Sequence, residues 1–387
     1  LDNNIYACAC EGYRVYYPKA NWAEQEPEDF WNAIVNTTKR VMNESGVAKE
    51  NVIGMIFSTQ VLGIIPIGKN GESLCKAIIW MDGIFSAIAG SAISGKDAFP
   101  KLLWLKEEAS YIYNEMTCFL DVNGYLTYRA TGKKVFEWSC ASAIGFDYKK
   151  KTWMKEVISY IGLDTNKFPQ LVRSTDMVGG LTSEAAEECG LMPGTPIFGG
   201  VGDMQSAAIG SGAVNEGEGH IYLGTSGWIG ISTSKSRKGS HGIFSFQSGD
   251  PDKALVVGEM ETAGACLSWI GDEFYKHEKS DPSVQNIYAL MDERVRTIKP
   301  GSDYLIFTPW ITGERCPIFD TSVRSTFFNL GATHTRDHMI RAVYEGIAYN
   351  LRWIIDILDK NYNFKLSELR VIGGGSKSNE WMQILSD

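Results

Sequence analysis

At 387 residues the chain is long enough for two domains, taking about 150 residues per domain. Its 44% hydrophobic and 21% charged residues exclude an intrinsically disordered chain. The 37 basic against 46 acidic side chains give a net charge of −9, which excludes a basic nucleic-acid footprint and attraction to an anionic membrane surface. Anionic small molecules stay open, because backbone N–H groups alone can hold a phosphate.

In chain order, Asp29 to Met42 predicts a helix, with Phe30, Ile34, Val35 and Val41 on one apolar face and an acidic first turn. Asn51 to Ile67 reads as two short β-rich runs. Its core, Val52 to Ile67, is broken by Ser58, Thr59 and Gln60 and is shorter than the ~20 residues of a bilayer span. Ala77 to Met81 is a further strand, and Lys101 to Glu108 opens a helical stretch running towards Glu115. Thr195 to Asp203 is an apolar strand that runs into glycines and a carboxylate, followed by a small-residue helix from Met204 to Ala213. Ile221–Gly227 and Trp228–Ser232 predict a β-hairpin with a Gly/Ser/Thr corner. Thr233 to Asp252 is polar and reads as a surface excursion. Thr335 to Lys360 is a long amphipathic helix with Met339, Val343, Ile347, Leu351, Ile354 and Leu358 on one stripe. Leu369 to Ile372 predicts a buried strand, after which Gly373–Asn379 leads into a helix at Glu380. Strands alternating with helices indicate α/β architecture, with a seam near Ala213–Val214 and hence domains at 1–213 and 214–387.

Cysteines at 8, 10, 75, 118, 140, 189, 266 and 316 show no zinc spacing, so reduced core thiols and a cytoplasmic address are expected. No signal peptide is visible. Histidines 220, 241, 277, 334 and 338 show no metal spacing either, and His334 and His338 read as surface polar residues. The chain starts at Leu1 and stops at Asp387, so it reads as part of a longer polypeptide.

Three glycine-bearing turns end apolar strands, at Gly199–Asp203, Gly224–Gly227 and Gly373–Ser378. Each can present N–H groups to phosphate oxygens, and together they point to nucleotide binding. None fits the G-x-x-x-x-G-K-[ST] loop, and none is a dinucleotide fingerprint, which leaves a nicotinamide-dependent oxidoreductase remote. Asp203 follows glycines at the end of a strand. Spacing alone leaves it open between general base for a substrate hydroxyl and helix N-cap. Glu314 and Arg315 read as an ion pair holding a loop.

These residues resemble the FGGY family of carbohydrate kinases, most closely its xylulokinase-type members. Tyr16–Gln25 ends in the family's W-A-E-Q, Trp80-Met-Asp82 is similar to its W-x-D, and Phe99–Glu108 fits its first signature. Gly200-Val-Gly-Asp203 resembles the segment holding the catalytic base, and Gly224-Thr-Ser-Gly227 the second phosphate loop. Thr312-Gly-Glu-Arg315, Phe327–Leu330 and Arg341–Gly346 resemble the second signature region, and Gly373–Ser378 the adenosine turn.

The resemblance implies an actin/hexokinase-like (ribonuclease H-like) ATPase fold with two α/β domains around a central cleft. It implies transfer of a phosphoryl group from Mg-ATP to a sugar or polyol hydroxyl, with Asp203 as base and metal support. Gln60, Val61, Leu62, Asp82, Trp104 and Met204 would contact the sugar. Gly224, Thr225, Ser226, Gly227, Gly373, Gly374, Gly375, Ser376 and Ser378 would contact ATP. It admits a homodimer and implies no membrane or nucleic-acid partner. The family's opening D-x-G-T strand and a closing helix have no counterpart, so this stretch alone is expected to bind ATP weakly. Leu62 stands where xylulokinases carry the His of Q-M-H-G, Met204 replaces the usual Asn, Asn329 replaces a glycine, and Gly83-Ile84 follows Asp82 without the common Arg. Losing hydrogen-bonding groups from a polyol pocket counts against D-xylulose itself and in favour of a related ketose or polyol. The alternative is a catalytically silent sugar- and nucleotide-binding relative, against which the retained Asp203 argues.

Overall fold

The stripe expected along Thr335 to Lys360 forms one helix, Arg336–Tyr362, capped by the Thr335 side chain. Ile340, Val343, Ile347, Leu351, Ile354 and Leu358 are buried along it, at spacings of three and four residues, while Met339 is only half-buried. Each such side chain contributes about 1.5–3 kcal/mol relative to exposure. The computed structural model describes residues 4–19, 22–83 and 96–387. Ala20 and Asn21 of the early segment, and Ile84, lie outside the described residues. The chain forms two units: Leu1–Ser206 with Gln247–Asp252, and Ala207–Phe246 with Lys253–Asp387. The division falls inside the Asp203–Ser211 helix, ahead of the seam expected at 213/214.

The second unit is built on a five-stranded sheet in the order Ile243–Gln247, Ala254–Met260, Gly227–Thr233, Gly219–Leu223, Leu369–Ile372. The predicted hairpin pairs Gly219–Leu223 with Gly227–Thr233 antiparallel. Leu369–Ile372 runs parallel to Gly219–Leu223, so both chains reach their glycine turns at the same end of the sheet. Two expectations are corrected. The segment Thr233–Asp252 is not wholly an excursion: its Ile243-Phe-Ser-Phe-Gln run is an edge strand that buries Ile243 and Gln247. Leu369–Ile372 is half-buried, as befits a strand at the other edge. The core lies between sheet and long helix, where Ile221, Leu223, Ile229, Ile231 and Val256 meet the helix's buried stripe.

The first unit carries short strand pairs. Ser58–Thr59 runs parallel to Val201–Gly202, and Val135–Glu137 parallel to Gln170–Val172. Ile65–Ile67 is antiparallel to Cys118–Leu120, and Glu24–Gln25 to Ala77–Ile78. Helix Pro27–Ser45 opens with proline at its first position, ends on Gly46 in the left-handed conformation, and buries Phe30 and Trp31. With Val122, Tyr125, Leu126, Ala185 and Ala186 these form one core. The helical stretch expected from Lys101 to Glu115 splits into Ala98–Glu108 and Ser110–Glu115 at Ala109, whose backbone leaves the helical region. The Asn51–Ile67 region holds two short strands, but the first, Ser58–Thr59, falls on the expected polar break, and before it only Met55 makes an isolated bridge, to Ile197. All eight cysteines are free; Cys8 and Cys10 are exposed rather than in the core. No helix among the described residues is long and apolar enough to cross a membrane.

Candidate active site

The parallel pairing of Ser58–Thr59 with Val201–Gly202 aligns the residues that follow each strand. Gln60-Val-Leu62 therefore leaves one strand end beside Asp203-Met204 leaving the other. The fit is close: a Cβ on Gly202 would lie 2.8 Å from Val61 Cγ1, so no larger residue sits there without displacing the loop. Ser58 Oγ and Ser206 Oγ are 2.6 Å apart across the same seam. Asp203 opens the helix Asp203–Ser211 and its side chain is exposed. A capping aspartate takes the N–H two or three residues on. The Asp203 carboxylate instead accepts the N–H of its neighbour Met204 at 2.9 Å. Although the side chain reaches solvent, the protein around it desolvates the carboxyl and raises its pKa, opposed by bonds from Met204 and its own backbone.

Polar links join the remaining candidates to this seam. Gln60 Nε2 donates to Gln25 Oε1 at 2.7 Å, tying the loop to the W-A-E-Q segment. Asp82 is fully buried, and its Oδ2 accepts the N–H of Ala23 at 2.6 Å. Trp104 is half-buried and packs edge-on against Trp22 with ring centroids 5.2 Å apart. Lys101 joins these pieces: it is fully buried, and its Nζ donates to Leu62 O at 2.9 Å, Ile79 O at 2.8 Å and Lys96 O at 2.7 Å. Leu62 has φ +65°, in the left-handed region that non-glycine residues rarely occupy. Burial lowers the Lys101 pKa to about 7, against the charges of Asp82 and Asp97, which raise it. Lys101 and Gln25 lie within the motifs, but nothing in the motif pattern marks either as part of the site. The available signal was a lysine among the apolar positions of an amphipathic helix. Thr59, whose buried hydroxyl has no hydrogen-bond partner among the described residues, lines a cavity with Gln25, Ser58 and Gln60.

In the second unit the two glycine turns lie side by side at one end of the sheet. Gly373 has φ +93°, and a Cβ there would sit 2.5 Å from Leu223 O, so the adenosine-type turn rests directly on the strand leading into Gly224. On its other side the Gly224-Thr225 corner caps the helix Gly264–Phe274: Gly224 O accepts from Gly264 N at 2.8 Å, and Thr225 O from Ala263 N and Ala265 N. With these carbonyls turned towards the helix, exposed Thr225 stands at the opposite face. Some predicted donors are already engaged. Gly224 N donates to Ser226 O, Ser376 Oγ to Gly373 O, and Ser378 Oγ to Asp292 while accepting from Trp381 N. Ser376 and Ser378 thus shape the turn through their hydroxyls. Gly373→Ala should lower the melting temperature and weaken ATP binding, since backbone strain of about 1–3 kcal/mol adds to the clash. Gly374→Ala, with open space around its Cβ position, should melt like the parent. Thermal melts with and without nucleotide check both.

The expected Glu314–Arg315 pair is corrected. Arg315 binds Glu259, in the strand Ala254–Met260, and Glu261, just past its end, both at 2.7 Å. Glu314 turns inward, accepts the N–H groups of Glu261 and Arg315 and the amide of Asn350, and burial raises its pKa to about 7. His334 and His338 are half-buried and meet at Asp303: His338 Nδ1 accepts the N–H of Thr335 and His334 Nδ1 that of Gly331, while His334 Nε2 lies 3.2 Å from Asp303 O and His338 Nε2 3.2 Å from Asp303 Oδ2. Among the described residues no group of three or more His, Cys, Asp or Glu is gathered for a metal.

Models of the FGGY family of carbohydrate kinases match the chain twice, the N-terminal domain over residues 2–210 and the C-terminal domain over 219–387. A xylulose kinase of Lactococcus lactis is 29% identical over 401 residues, covering 99% of this chain and 78% of the relative. A gluconokinase of Bacillus subtilis is 29% identical over 397 residues, covering 97% and 77%. Among solved structures, the xylulose kinase of Rhodospirillum rubrum superposes with a TM-score of 0.88 at 21% identity, covering 100% of this chain and 80% of that one. The ligand-bound xylulose kinase of Lactobacillus acidophilus gives 0.85 at 23%, covering 97% and 78%. The fold is thus the two-domain actin/hexokinase-like fold of the sugar kinases, and the chain belongs to the FGGY family of carbohydrate kinases and is a carbohydrate kinase.

Proposed function

We propose that the protein transfers the γ-phosphoryl group of ATP to one hydroxyl of a small sugar or polyol, a ketose or sugar acid related to D-xylulose, in the cytoplasm. The observation that carries this reading is the strand-end seam that sets Gln60-Val-Leu62 beside Asp203. Asp203 accepts the proton of the attacking hydroxyl as its oxygen meets the phosphorus. Desolvation raises its pKa above that of a free aspartate, which makes the carboxylate a stronger base for that work. Gln60, Asp82 and Trp104 hold the sugar, and Leu62 and Met204 give its pocket apolar walls. That lining favours a substrate with fewer hydroxyls to satisfy at those positions than D-xylulose offers.

The two glycine turns hold ATP through backbone N–H groups, helped by exposed Thr225. A magnesium ion supplies charge neutralisation on the phosphates when bound. A carboxylate with one oxygen engaged by a backbone N–H fits that ion, since magnesium takes one or two protein carboxylates and fills its shell with water and phosphate. Asp203 is the residue that would hold it. The test is ADP release with Mg-ATP against a panel of ketoses, aldonates and polyols. Turnover on one member is the expected result; silence across the panel while ATP binds overturns the kinase assignment in favour of a ligand-binding relative.

A further inference from the structure

Gly202 is the last residue of its strand and the one before Asp203. On one edge the strand pairs with Ser58–Thr59. On the other, the Gly202 N–H donates to Ser139 Oγ at 3.0 Å. The Ser139 hydroxyl in turn donates to Glu137 Oε2, which also accepts the N–H groups of Ser139 at 2.8 Å and Cys140 at 3.2 Å. Both residues are 1% exposed, at the junction of the strand Val135–Glu137 and the helix Trp138–Ala141. A hydroxyl whose proton is committed to a fixed carboxylate presents its lone pairs in one direction, so Ser139 holds the Gly202 N–H at a set angle. Gly202 has little room to shift, because Val61 and the Gln205 side chain close over its Cα.

Capping a four-residue helix does not by itself require this arrangement. Among the described residues Glu137 Oε1 has no hydrogen-bond partner, and an orphaned buried oxygen costs free energy that an uncharged cap would avoid. We propose that Glu137 and Ser139 are positioning residues for phosphoryl transfer: they fix the direction of the Gly202 backbone and so aim the Asp203 carboxylate. The inference rests on the reading of Asp203 as base.

Steady-state kinetics of Ser139→Ala, Ser139→Thr, Glu137→Gln and Asp203→Asn test it, with melting temperatures alongside. Ser139→Ala should lose about 10- to 100-fold in kcat, the scale of a small misplacement at the reacting centre. Its KM values for sugar and ATP should stay within about twofold, since only the transition state uses the aim of the base. Ser139→Thr restores the hydroxyl and should restore kcat. Glu137→Gln leaves one weaker, uncharged oxygen for three donors and turns the other into a donor, so it loosens Ser139 and should lower kcat in the same direction as Ser139→Ala, by less, with KM values again near parental. A near-normal kcat in Ser139→Ala overturns the proposal, as does a loss confined to KM. If Ser139→Ala does not fold, Ser139→Cys is read by the same criteria, because a thiol is close in shape and a weak acceptor. Asp203→Asn separates the two readings. Turnover retained there removes the base and the proposal with it, whereas a silent Asp203→Asn beside an intact Ser139→Ala overturns the positioning role alone.

Discussion

Asp203→Asn should abolish phosphoryl transfer while nucleotide still binds. A positioned general base contributes about 10²–10⁴-fold, and the asparagine amide cannot accept the hydroxyl proton at any useful pH. The substitution is nearly isosteric. Asp203 binds one backbone N–H, from Met204, and an amide oxygen can accept it, so the melting temperature should hold. Asp203→Glu keeps the carboxylate but moves it by a methylene and should fall between the two. The pH profile gives a second check. Desolvation favours the neutral acid, so the Asp203 pKa lies above the ordinary value of 3.8. The base works only when ionised, and kcat/KM should fall as pH drops through that raised value, at a higher pH than an unperturbed aspartate would allow. Any residual rate in Asp203→Asn should lack this acid limb. A variant that turns over at the parental rate with the same limb would place the base elsewhere.

Period and punctuation made much of the fold legible. The helix over Arg336–Tyr362, the hairpin at Gly219–Thr233 and the glycine turns at Gly224 and Gly373 are local events, each written in one short window. Asp203 was legible as a carboxylate behind glycines, but which loop stands beside it is set by the pairing of Val201–Gly202 with Ser58–Thr59, far along the chain. What escaped was long-range. The edge strand Ile243–Gln247 alternates over five residues inside a polar stretch that dilutes its pattern. Arg315 bypasses adjacent Glu314 for Glu259 and Glu261, more than fifty residues back in the chain. Ser139 and Glu137 belong to no motif, and they matter because the fold brings them to Gly202, 63 residues from Ser139.

Lys101→Met should raise the KM for the sugar by about tenfold or more while leaving the KM for ATP near its parental value. Methionine roughly matches the length and volume of the lysine stem, so the packing stays filled. The loss is three donors. Leu62 O, Ile79 O and Lys96 O are each left without the ammonium, at about 1–3 kcal/mol for each buried group that finds no water. Leu62 O is the consequential one, because the Leu62 backbone sits at φ +65° and relaxes once its carbonyl is released. That relaxation moves Gln60-Val-Leu62 out of register with Asp203. Lys101 also makes affinity and stability respond to pH in opposite directions. Burial has lowered its pKa to about 7, whereas the unfolded side chain titrates near the ordinary lysine value of 10.5. Between those values the unfolded chain binds more protons than the folded one, so this group's contribution to stability increases as pH rises from 7 towards 10. Over the same window the folded lysine becomes an amine with two donors for three carbonyls, and the sugar loop loses a restraint. Sugar KM should therefore climb above pH 7 in the parent as the melting temperature gains from this residue, and both trends should flatten in Lys101→Met. A parental KM that is level from pH 6 to 9 would remove Lys101 from substrate positioning and leave it a buried strut.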